Sequence, residues 1–424
     1  MPQGRHVAVK SFWRKPRLLV LLLATASSCC AVFASVPATG DPAKHWEQLQ
    51  RDGTTALDSN EYWKAEPMLK QAVIQAGAFG ENDVRLAKSL GTLGRLYTIR
   101  GRFSEAEPLL EEELCVRERA MGRGNGLIIP AMGSLVKFYL LYGTVSKADP
   151  LTEDVLAFVE GKLREPLEQS SPKLTMKKGE PLQGWAGQAT PIMIDPLLEW
   201  SVTCDDLGNI YRLRGNYDMA DRLFKAALDL KATILGKQHL SLANSYDSLA
   251  EICQSKNEMH DAESYFQDAL GLTEKILSTG DPASYRRMDK LARCLLKEGK
   301  YQAAEEVYHR ALKIIPSDAT AAGTRARFLL ALGCLYDDQR NFAAAAPVLQ
   351  QALELAEQNS GPLSADLAPY LRKYAYTLYY LGRKPEGEQL KARAESIIGD
   401  AEIERRPDYE KPMQAKAKSL SSAD

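Results

Sequence analysis

A small residue recurs along this chain at a nearly constant interval, and that period limits the fold more than any other feature. Six of the seven intervals are nearly equal at about 42 residues, and the remaining one equals one period plus an insertion of about 30 residues. A fixed period of this size is typical of a solenoid, in which each unit buries its apolar face only against its neighbours. The recurring positions are Ala65, Ala106, Ala148, Ala220, Ala262, Ala304, Ala345 and Gly387.

The residues around each small position follow one pattern. In the second unit, Gly94 and Tyr97 precede Gly101 and Ala106, and Leu110 follows four residues after the alanine. Spacings of three and four place side chains on one face of a helix. Glycine and alanine fit where two antiparallel helices cross closely, and larger residues fill the space beside the crossing. We therefore expect each unit to be a hairpin of two helices.

This pattern resembles the tetratricopeptide repeat, although the units of this chain are longer than the standard unit of that family. The longer units are similar to the repeats of kinesin light chains, and the stretch from Gly236 to Asn244 looks like the segment that joins those repeats. The resemblance covers residues 42–398. It implies an all-α fold, a right-handed α-solenoid of about eight helical hairpins. Bacterial chains also use this repeat, so the resemblance implies no motor partner.

Composition divides the chain into five segments. We expect a signal peptide in residues 1–34, three hairpins in 42–160, a linker or loop rich in proline and glycine in 161–196, five hairpins including a C-terminal cap in 197–398, and a disordered tail in 399–424. The segment 161–196 is either a hinge between two solenoid blocks or a surface loop on one continuous solenoid. The sequence leaves both alternatives open.

The N-terminus predicts export from the cytosol. Five basic residues precede the apolar stretch from Leu18 to Ala34, which ends with small residues suited to a signal peptidase. This stretch is shorter than the roughly 20 residues of a membrane span. We expect a mature protein that begins near Ser35 and is periplasmic or secreted. Retention as a membrane anchor and lipid modification of Cys29 are the alternatives.

Composition and spacing argue against several classes of function. The formal net charge is −1 and no basic stripe is present, which disfavours nucleic-acid binding. The histidines are isolated, and the spacings typical of metal sites do not occur. We therefore expect a non-enzymatic protein with no metal, no cofactor and no small-molecule substrate. A membrane would be a partner only if the N-terminal segment is retained or Cys29 is lipidated.

The cysteines outside the N-terminal segment are odd in number, and each falls in a predicted helix of a different hairpin. We expect them to be free thiols that behave as small hydrophobic residues. A bridge from Cys294 to Cys253 or to Cys334 is the alternative, provided that the α-carbons approach to about 7 Å. The five residues are Cys115, Cys204, Cys253, Cys294 and Cys334.

The resemblance also implies where a partner binds, because the first helix of each hairpin lines the concave groove in this family. Carried over position by position, the groove alternates in sign, with an acidic patch over hairpins four and five and a basic patch over hairpin six. The polar candidates are Lys88, Arg95, Lys137, Asp205, Asn209, Arg212, Asn244, Asp247, Glu251, Arg286, Lys290, Arg293 and Arg327. In hairpin eight Tyr376, Tyr379 and Tyr380 either face a partner or pack against the last helix, residues 386–398.

Alternating charge of this kind suits an extended or helical peptide of complementary charge better than a small molecule. We therefore predict a scaffold for protein or peptide partners in a bacterial envelope, in which Arg286, Lys290 and Arg293 hold an acidic segment. The alternative is a structural scaffold that self-associates by end-to-end stacking of the array. Asn209, Arg286 and Lys290 also match part of the carboxylate clamp of some tetratricopeptide domains, but Asp205 stands where that clamp needs lysine.

Overall fold

The computed structural model describes residues 41–143, 145–164, 196–277 and 280–404. The expected signal peptide, residues 1–34, lies outside the described residues, as do most of the expected linker and the tail beyond residue 404. The chain divides into two compact units: unit 1 is residues 1–203, and unit 2 is residues 204–424. Over the described ranges, sixteen α-helices and no strands occur.

The helices alternate with short turns along both units. Unit 1 contains α1 (Pro42–Asp58), α2 (Tyr62–Gly77), α3 (Val84–Ile99), α4 (Phe103–Met121), α5 (Ile129–Tyr142) and α6 (Val145–Arg164). The unit boundary falls within α7 (Pro196–Leu213). Unit 2 continues with α8 (Tyr217–Leu235), α9 (Leu240–Ser255), α10 (Met259–Ile276), α11 (Pro282–Lys297), α12 (Tyr301–Ile314), α13 (Ala322–Asp338), α14 (Phe342–Ser360), α15 (Ala368–Tyr380) and α16 (Lys384–Glu404).

Consecutive helices pack in pairs, from α1 with α2 to α15 with α16. Gly208 of α7 lies against the ring of Phe224 of α8, which joins those two helices in the same way. Within each unit, the second helix of one hairpin packs against the first helix of the next. These contacts confirm the predicted all-α fold of stacked helical hairpins.

The recurring small residue lies where the two helices of each hairpin cross. Gly94, the glycine on the first helix of hairpin two, shows how little space is available at such a crossing. A Cβ there would lie 2.9 Å from Cδ2 of Leu110 on the facing helix. Gly387 has a tighter constraint, since its Cβ would lie 2.9 Å from the backbone oxygen of Ala375. The following alanines at the repeated position are all fully buried: Ala65, Ala106, Ala148, Ala220, Ala262, Ala304 and Ala345.

Hairpin three reverses the usual sizes at its crossing. Val136 replaces the glycine of the first helix, and Thr152 replaces the large residue that follows the alanine in the other hairpins. Both residues are fully buried. In hairpin three the larger residue is therefore on the first helix and the smaller one on the second, the reverse of the other hairpins, so the core stays filled.

The turn inside each hairpin other than the third has the geometry of a Schellman motif. In hairpin two, Gly101 has a φ of 72°, and the N–H of Arg102 donates to the carbonyl of Tyr97 at 2.8 Å. The same left-handed residue is asparagine in hairpins one and five, and arginine in hairpin seven, at Arg340 with a φ of 60°. The hydrogen-bond pattern therefore fixes the turn even where no glycine is present.

Two helix ends differ from the sequence prediction. Helix α6 continues to Arg164, which lies four residues into the segment expected to be a linker. The last helix of unit 2, α16, continues to Glu404, six residues into the segment expected to be a tail. The prolines that next follow are Pro166 and Pro407, so no proline interrupts either extension.

The five cysteines of the described residues are free thiols. Burial raises the pKa of Cys204 to about 12 and that of Cys253 to about 11, so both thiols stay protonated. Cys253, Cys294 and Cys334 lie three, two and one residues after the crossing position of their helices. They therefore occupy different faces of successive helices and do not oppose one another.

Candidate functional site

The first helices of unit 2 present polar side chains that repeat with the period of the hairpins. Asn209, Glu251 and Arg293 occupy the position directly after the crossing residue in α7, α9 and α11. Because the hairpins stack with the same period, side chains at equivalent positions line one surface. We call the exposed side of α7, α9, α11, α13 and α15, from residue 204 onward, the first-helix surface.

An aspartate recurs on this surface in three successive hairpins, at Asp205, Asp247 and Asp289. Burial raises the pKa of all three carboxyls, although neighbouring cations counteract the shift. Asp205 pairs with the ammonium of the buried Lys231, and Asp247 lies 3.1 Å from Nε of the buried Arg287. These carboxylates are therefore engaged within the protein and do not form an open acidic patch.

Five side chains of α7, α9 and α11 form a connected set of ion pairs, which we call the ion-pair lattice: Arg212, Asp247, Glu251, Arg287 and Lys290. The Lys290 ammonium lies 2.9 Å from Oε1 of Glu251 and 3.8 Å from Oδ1 of Asp247. The other oxygen of Glu251 lies 3.8 Å from Arg212. The acidic and basic patches that the sequence predicted as separate surfaces thus neutralise each other across three hairpins.

Sequence reasoning missed Arg287. It selected Arg286 and Lys290 as exposed positions of α11, whereas Arg287 lies about 100° further round the helix and is buried. Its guanidinium contacts Asp247 and donates to Oδ1 of Asn244 at 2.6 Å. A sequence signal for this contact was available, because Arg287 follows the polar residues Asn244 and Asp247 by about one repeat period.

Three arginines remain exposed beside the lattice, and we call them the cationic row: Arg286, Arg293 and Arg327. Arg286 donates from Nε to its own helix, at the carbonyl of Pro282. Arg293 is 68% exposed and lies 3.8 Å from Asp289 of the same helix. Arg327 is exposed on α13 at the position equivalent to Arg286, and its charge helps to counteract the rise in the pKa of Asp289 on α11.

The tyrosines of α15 divide into two groups. Tyr376, Tyr379 and Tyr380 are 44–50% exposed and form an aromatic patch with Phe342 of α14. The ring of Tyr380 stacks on Phe342 with centroids 4.7 Å apart and lies 4.8 Å from Tyr376, while the Lys384 ammonium sits 5.1 Å from the centre of the Tyr379 ring. This patch is a surface feature and leaves ring edges open to solvent.

Tyr370 and Tyr374 behave differently from the aromatic patch. Both are buried in the same core cluster as Ala394 and Ile397 of the last helix. Tyr370 and Tyr374 are therefore the tyrosines that pack against the last helix. The three groove candidates, Tyr376, Tyr379 and Tyr380, remain exposed.

Asp337 ties α13 to α15 beneath the aromatic patch. Its side chain is buried, and both carboxylate oxygens accept from the hydroxyl of Thr377 at 2.9 Å. The Lys373 ammonium lies 3.4 Å away and also sits 5.2 Å from the centre of the Tyr376 ring. A buried charge thus fixes the helix that carries the tyrosines.

Unit 1 offers a weaker set of charges on its first helices. Lys88, Arg95 and Lys137 are all exposed, and Arg95 lies 3.5 Å from Asp58 of the preceding hairpin. The structure therefore places these residues on the surface, as the sequence predicted. The connected ion pairs of unit 1 are centred elsewhere, on Glu66, which pairs with Lys70 and Arg102.

A neutral hydrogen-bond chain joins the first two hairpins instead. The indole of Trp46 donates to the hydroxyl of Ser89, which donates to the Gln50 carbonyl, and the Gln50 amide donates to Thr92, each at 2.9 Å. Each link satisfies the next buried polar group. The buried part of the interface of α1 and α3 therefore uses neutral hydrogen bonds, and the ion pair of Arg95 with Asp58 lies at its exposed edge.

The residues that match part of a carboxylate clamp do not assemble into one. The Asn209 amide donates to the backbone carbonyl of Asp205, one turn back on α7. Lys290 is held by Glu251, which leaves Arg286 as the exposed cation of the set. A free carboxylate would therefore meet single arginines here and not a preformed clamp.

The described ranges contain neither a cluster of metal-ligating side chains nor a helix suited to span a membrane. No group of three or more histidine, cysteine, aspartate or glutamate side chains there could hold a metal ion. Within the same ranges, no helix combines the length and the apolar character that a membrane crossing needs.

Comparison with known sequence families identifies the repeat. A tetratricopeptide-repeat family model matches residues 201–275 and 283–358, and a second tetratricopeptide-repeat model matches residues 86–125. The matched ranges coincide with hairpins in both units. No curated protein matches this chain significantly.

Several solved structures are similar in fold. TPR-like repeats of a kinesin light chain candidate from Podosopora anserina are 19% identical, over 48% of this chain and 97% of that chain, with a TM-score of 0.41. BtubC (BKLC) from P. vanneervenii is 14% identical over 73% of this chain and 90% of that chain, with a TM-score of 0.38. MamA is 15% identical over 46% of this chain and 96% of that chain, with a TM-score of 0.34.

Proposed function

We propose that this chain, which is a tetratricopeptide-repeat protein, is a non-catalytic scaffold that binds an acidic segment of a protein partner along the cationic row of Arg286, Arg293 and Arg327. Tetratricopeptide repeats generally bind other proteins, and the repeat models cover hairpins in both units. The proposal adds the surface and the charge of the partner.

The observation that carries the proposal is the difference between these arginines and their neighbours. Lys290 and Arg287 form ion pairs with carboxylates from α9. The carboxylate beside the cationic row, Asp289 of α11, lies 3.8 Å from Arg293 and interacts with Arg327 only beyond ion-pair distance, so most of the charge of the row stays uncompensated. Exposed guanidinium groups bind carboxylates through paired hydrogen bonds. An extended segment that carries aspartate or glutamate therefore complements this surface.

The terminal helices favour this function over end-to-end stacking. The exposed side chains of α1 are polar, among them Lys44, Gln48 and Asp52. Over the described part of α16, the large apolar side chains are buried or half-buried, and exposed positions carry charges such as Glu388 and Lys391. Stable self-association needs an apolar contact area that these two helices do not offer, and the exposed Trp63 and Ile74 of the first hairpin lie on α2 instead.

The proposal includes export. The basic and apolar character of residues 1–34 supports a cleaved signal peptide and a periplasmic or secreted protein. N-terminal sequencing of the mature protein should then begin near Ser35. An intact Met1 on membrane-bound protein would instead identify an anchor, and a blocked Cys29 would identify a lipoprotein.

Charge reversal tests the binding surface directly. The probe is a fluorescein-labelled peptide of alternating aspartate and alanine, followed by fluorescence anisotropy, with a lysine–alanine peptide as the counter-probe. The triple variant Arg286→Glu, Arg293→Glu, Arg327→Glu should weaken binding at least about tenfold through like-charge repulsion. Binding to the natural protein should also weaken as salt rises, because exposed charges are screened over about 8 Å at physiological ionic strength.

A matched variant in unit 1 controls for net charge. Lys88→Glu, Arg95→Glu and Lys137→Glu together change the charge by the same amount on first helices that lack the cationic row. This variant should keep most of the affinity. Equal losses in the two variants, or equal binding of the acidic and basic peptides, would show that the cationic row is a solvated surface and would refute the proposed site.

A further inference from the structure

We infer that Glu251 is a built-in competitor of the partner: it occupies Lys290 with its own carboxylate and must be displaced when an acidic segment binds along α11. This inference rests on the proposed function and concerns the regulation of the same surface. It assigns to Glu251 a role in setting the affinity and selectivity of the scaffold, separate from any role in the fold.

The geometry distinguishes an exchangeable pair from a fixed pair within the ion-pair lattice. The side chains of Glu251 and Lys290 are 39% and 38% exposed, so water and a ligand can reach their contact of 2.9 Å. The side chains of Asp247 and Arg287 are only 13% and 7% exposed. Breaking an exposed ion pair costs little free energy, whereas breaking a buried one leaves a desolvated charge. Only the first pair is suited to exchange.

The position of Lys290 makes this exchange relevant to the cationic row. Lys290 lies between Arg286 and Arg293 on α11, four residues after the first and three before the second, so all three share one helix face. A segment that contacts both arginines therefore passes over Lys290. Glu251 pairs with Lys290 at that point, so an incoming carboxylate reaches the lysine only by displacing Glu251.

Glu251 would keep a cationic partner after it is displaced from Lys290. Its second carboxylate oxygen already lies 3.8 Å from Arg212 of α7. Lys290 also keeps Asp247 at 3.8 Å when Glu251 leaves. Glu251 can therefore shift from Lys290 towards Arg212 by a side-chain rotation, and the backbone of α9 need not move.

The variant Glu251→Gln tests the inference in the full chain with the aspartate–alanine peptide. Removing the competing charge should tighten binding about fivefold, an increase typical of relieving one exposed charge contact. The control is Glu258→Gln, which removes a similarly exposed carboxylate that pairs with Lys256 in the turn before α10, away from the first-helix surface. The control should bind like the natural protein.

A second variant separates competition from a structural effect. In a Lys290→Met background, Glu251→Gln should give less than half of its gain, because the two residues act through one contact. Thermal unfolding followed by circular dichroism should show all variants folded at the temperature of the binding assay.

The outcomes are distinct. Measurable binding by the natural protein with no gain for Glu251→Gln would refute the competitor while leaving the proposed function intact. No binding by the natural protein or by Glu251→Gln would refute both. A full gain for Glu251→Gln in the Lys290→Met background would also refute the competitor, since Lys290 would then not be the contested group.

Discussion

The behaviour of a charge on this protein depends on which side of its helix it occupies. Arg286 and Arg287 are adjacent in sequence, but Arg286 is exposed and bonds only to its own helix, whereas Arg287 is buried against Asp247 and Asn244. The repeat period predicts which helix each residue joins. It does not predict the rotation of that helix about its axis, and a rotation of about 100° separates an exposed cation from a buried one.

The buried pair leads to a strong prediction at the residue scale. Arg287→Met should lower the free energy of unfolding by about 3–5 kcal/mol, because Asp247 would remain buried without its main partner. Adding Asp247→Leu should recover most of that loss, since the buried carboxylate that lost its guanidinium partner and keeps only Lys290 at 3.8 Å is then removed. Urea denaturation of the two variants measures both effects.

The pH dependence of Arg287→Met has a definite sign. Burial already raises the pKa of Asp247 in the natural protein, and loss of the guanidinium raises it further. A carboxyl whose pKa is raised by folding destabilises the folded state above that pKa, and this penalty fades as pH falls through it. The deficit of the single variant should therefore shrink in acid. A deficit that is unchanged between neutral and acidic pH would contradict the burial of Asp247.

At the scale of elements, the repeat motif predicted the hairpins because it reports packing that each hairpin makes with itself. The crossing positions, the small residues and the turn residues lie within one period, and the structure confirms the helices that they predict. Contacts between hairpins were harder to predict. Glu251 and Lys290 are 39 residues apart, and their pairing depends on side-chain reach across two helices, which a spacing pattern does not encode.

The crossing of hairpin seven gives an element-scale prediction with an internal control. Ala345 is fully buried in α14, and Gly333 of the facing helix would place a Cβ 2.5 Å from Leu349, so no spare volume exists there. Ala345→Leu should lower the free energy of unfolding by about 1–3 kcal/mol through overpacking. Ala343→Leu makes the same change at an exposed position of the same helix and should be nearly neutral. Equal effects would show that the crossing is not tightly packed.

For the whole molecule, the contacts between hairpins determine how far a destabilising substitution affects its neighbours. Within each unit a hairpin packs only against its sequence neighbours, so stability is a sum of hairpin terms and nearest-neighbour terms. The described helices divide into two compact units. Binding along α11 and α13 therefore draws on local packing in hairpins six and seven, and unit 1 can vary in sequence without altering that surface.

This locality is testable by hydrogen exchange on the Ala345→Leu variant. Amide protection should fall in α13 and α14, which form the overpacked hairpin, and to a smaller extent in the adjoining helices α12 and α15. Protection in α1 to α6 should match that of the natural protein, because a solenoid transmits strain only from neighbour to neighbour. A uniform loss of protection in both units would instead require cooperative unfolding of the whole chain, and the stacked-hairpin account of its stability would then be wrong.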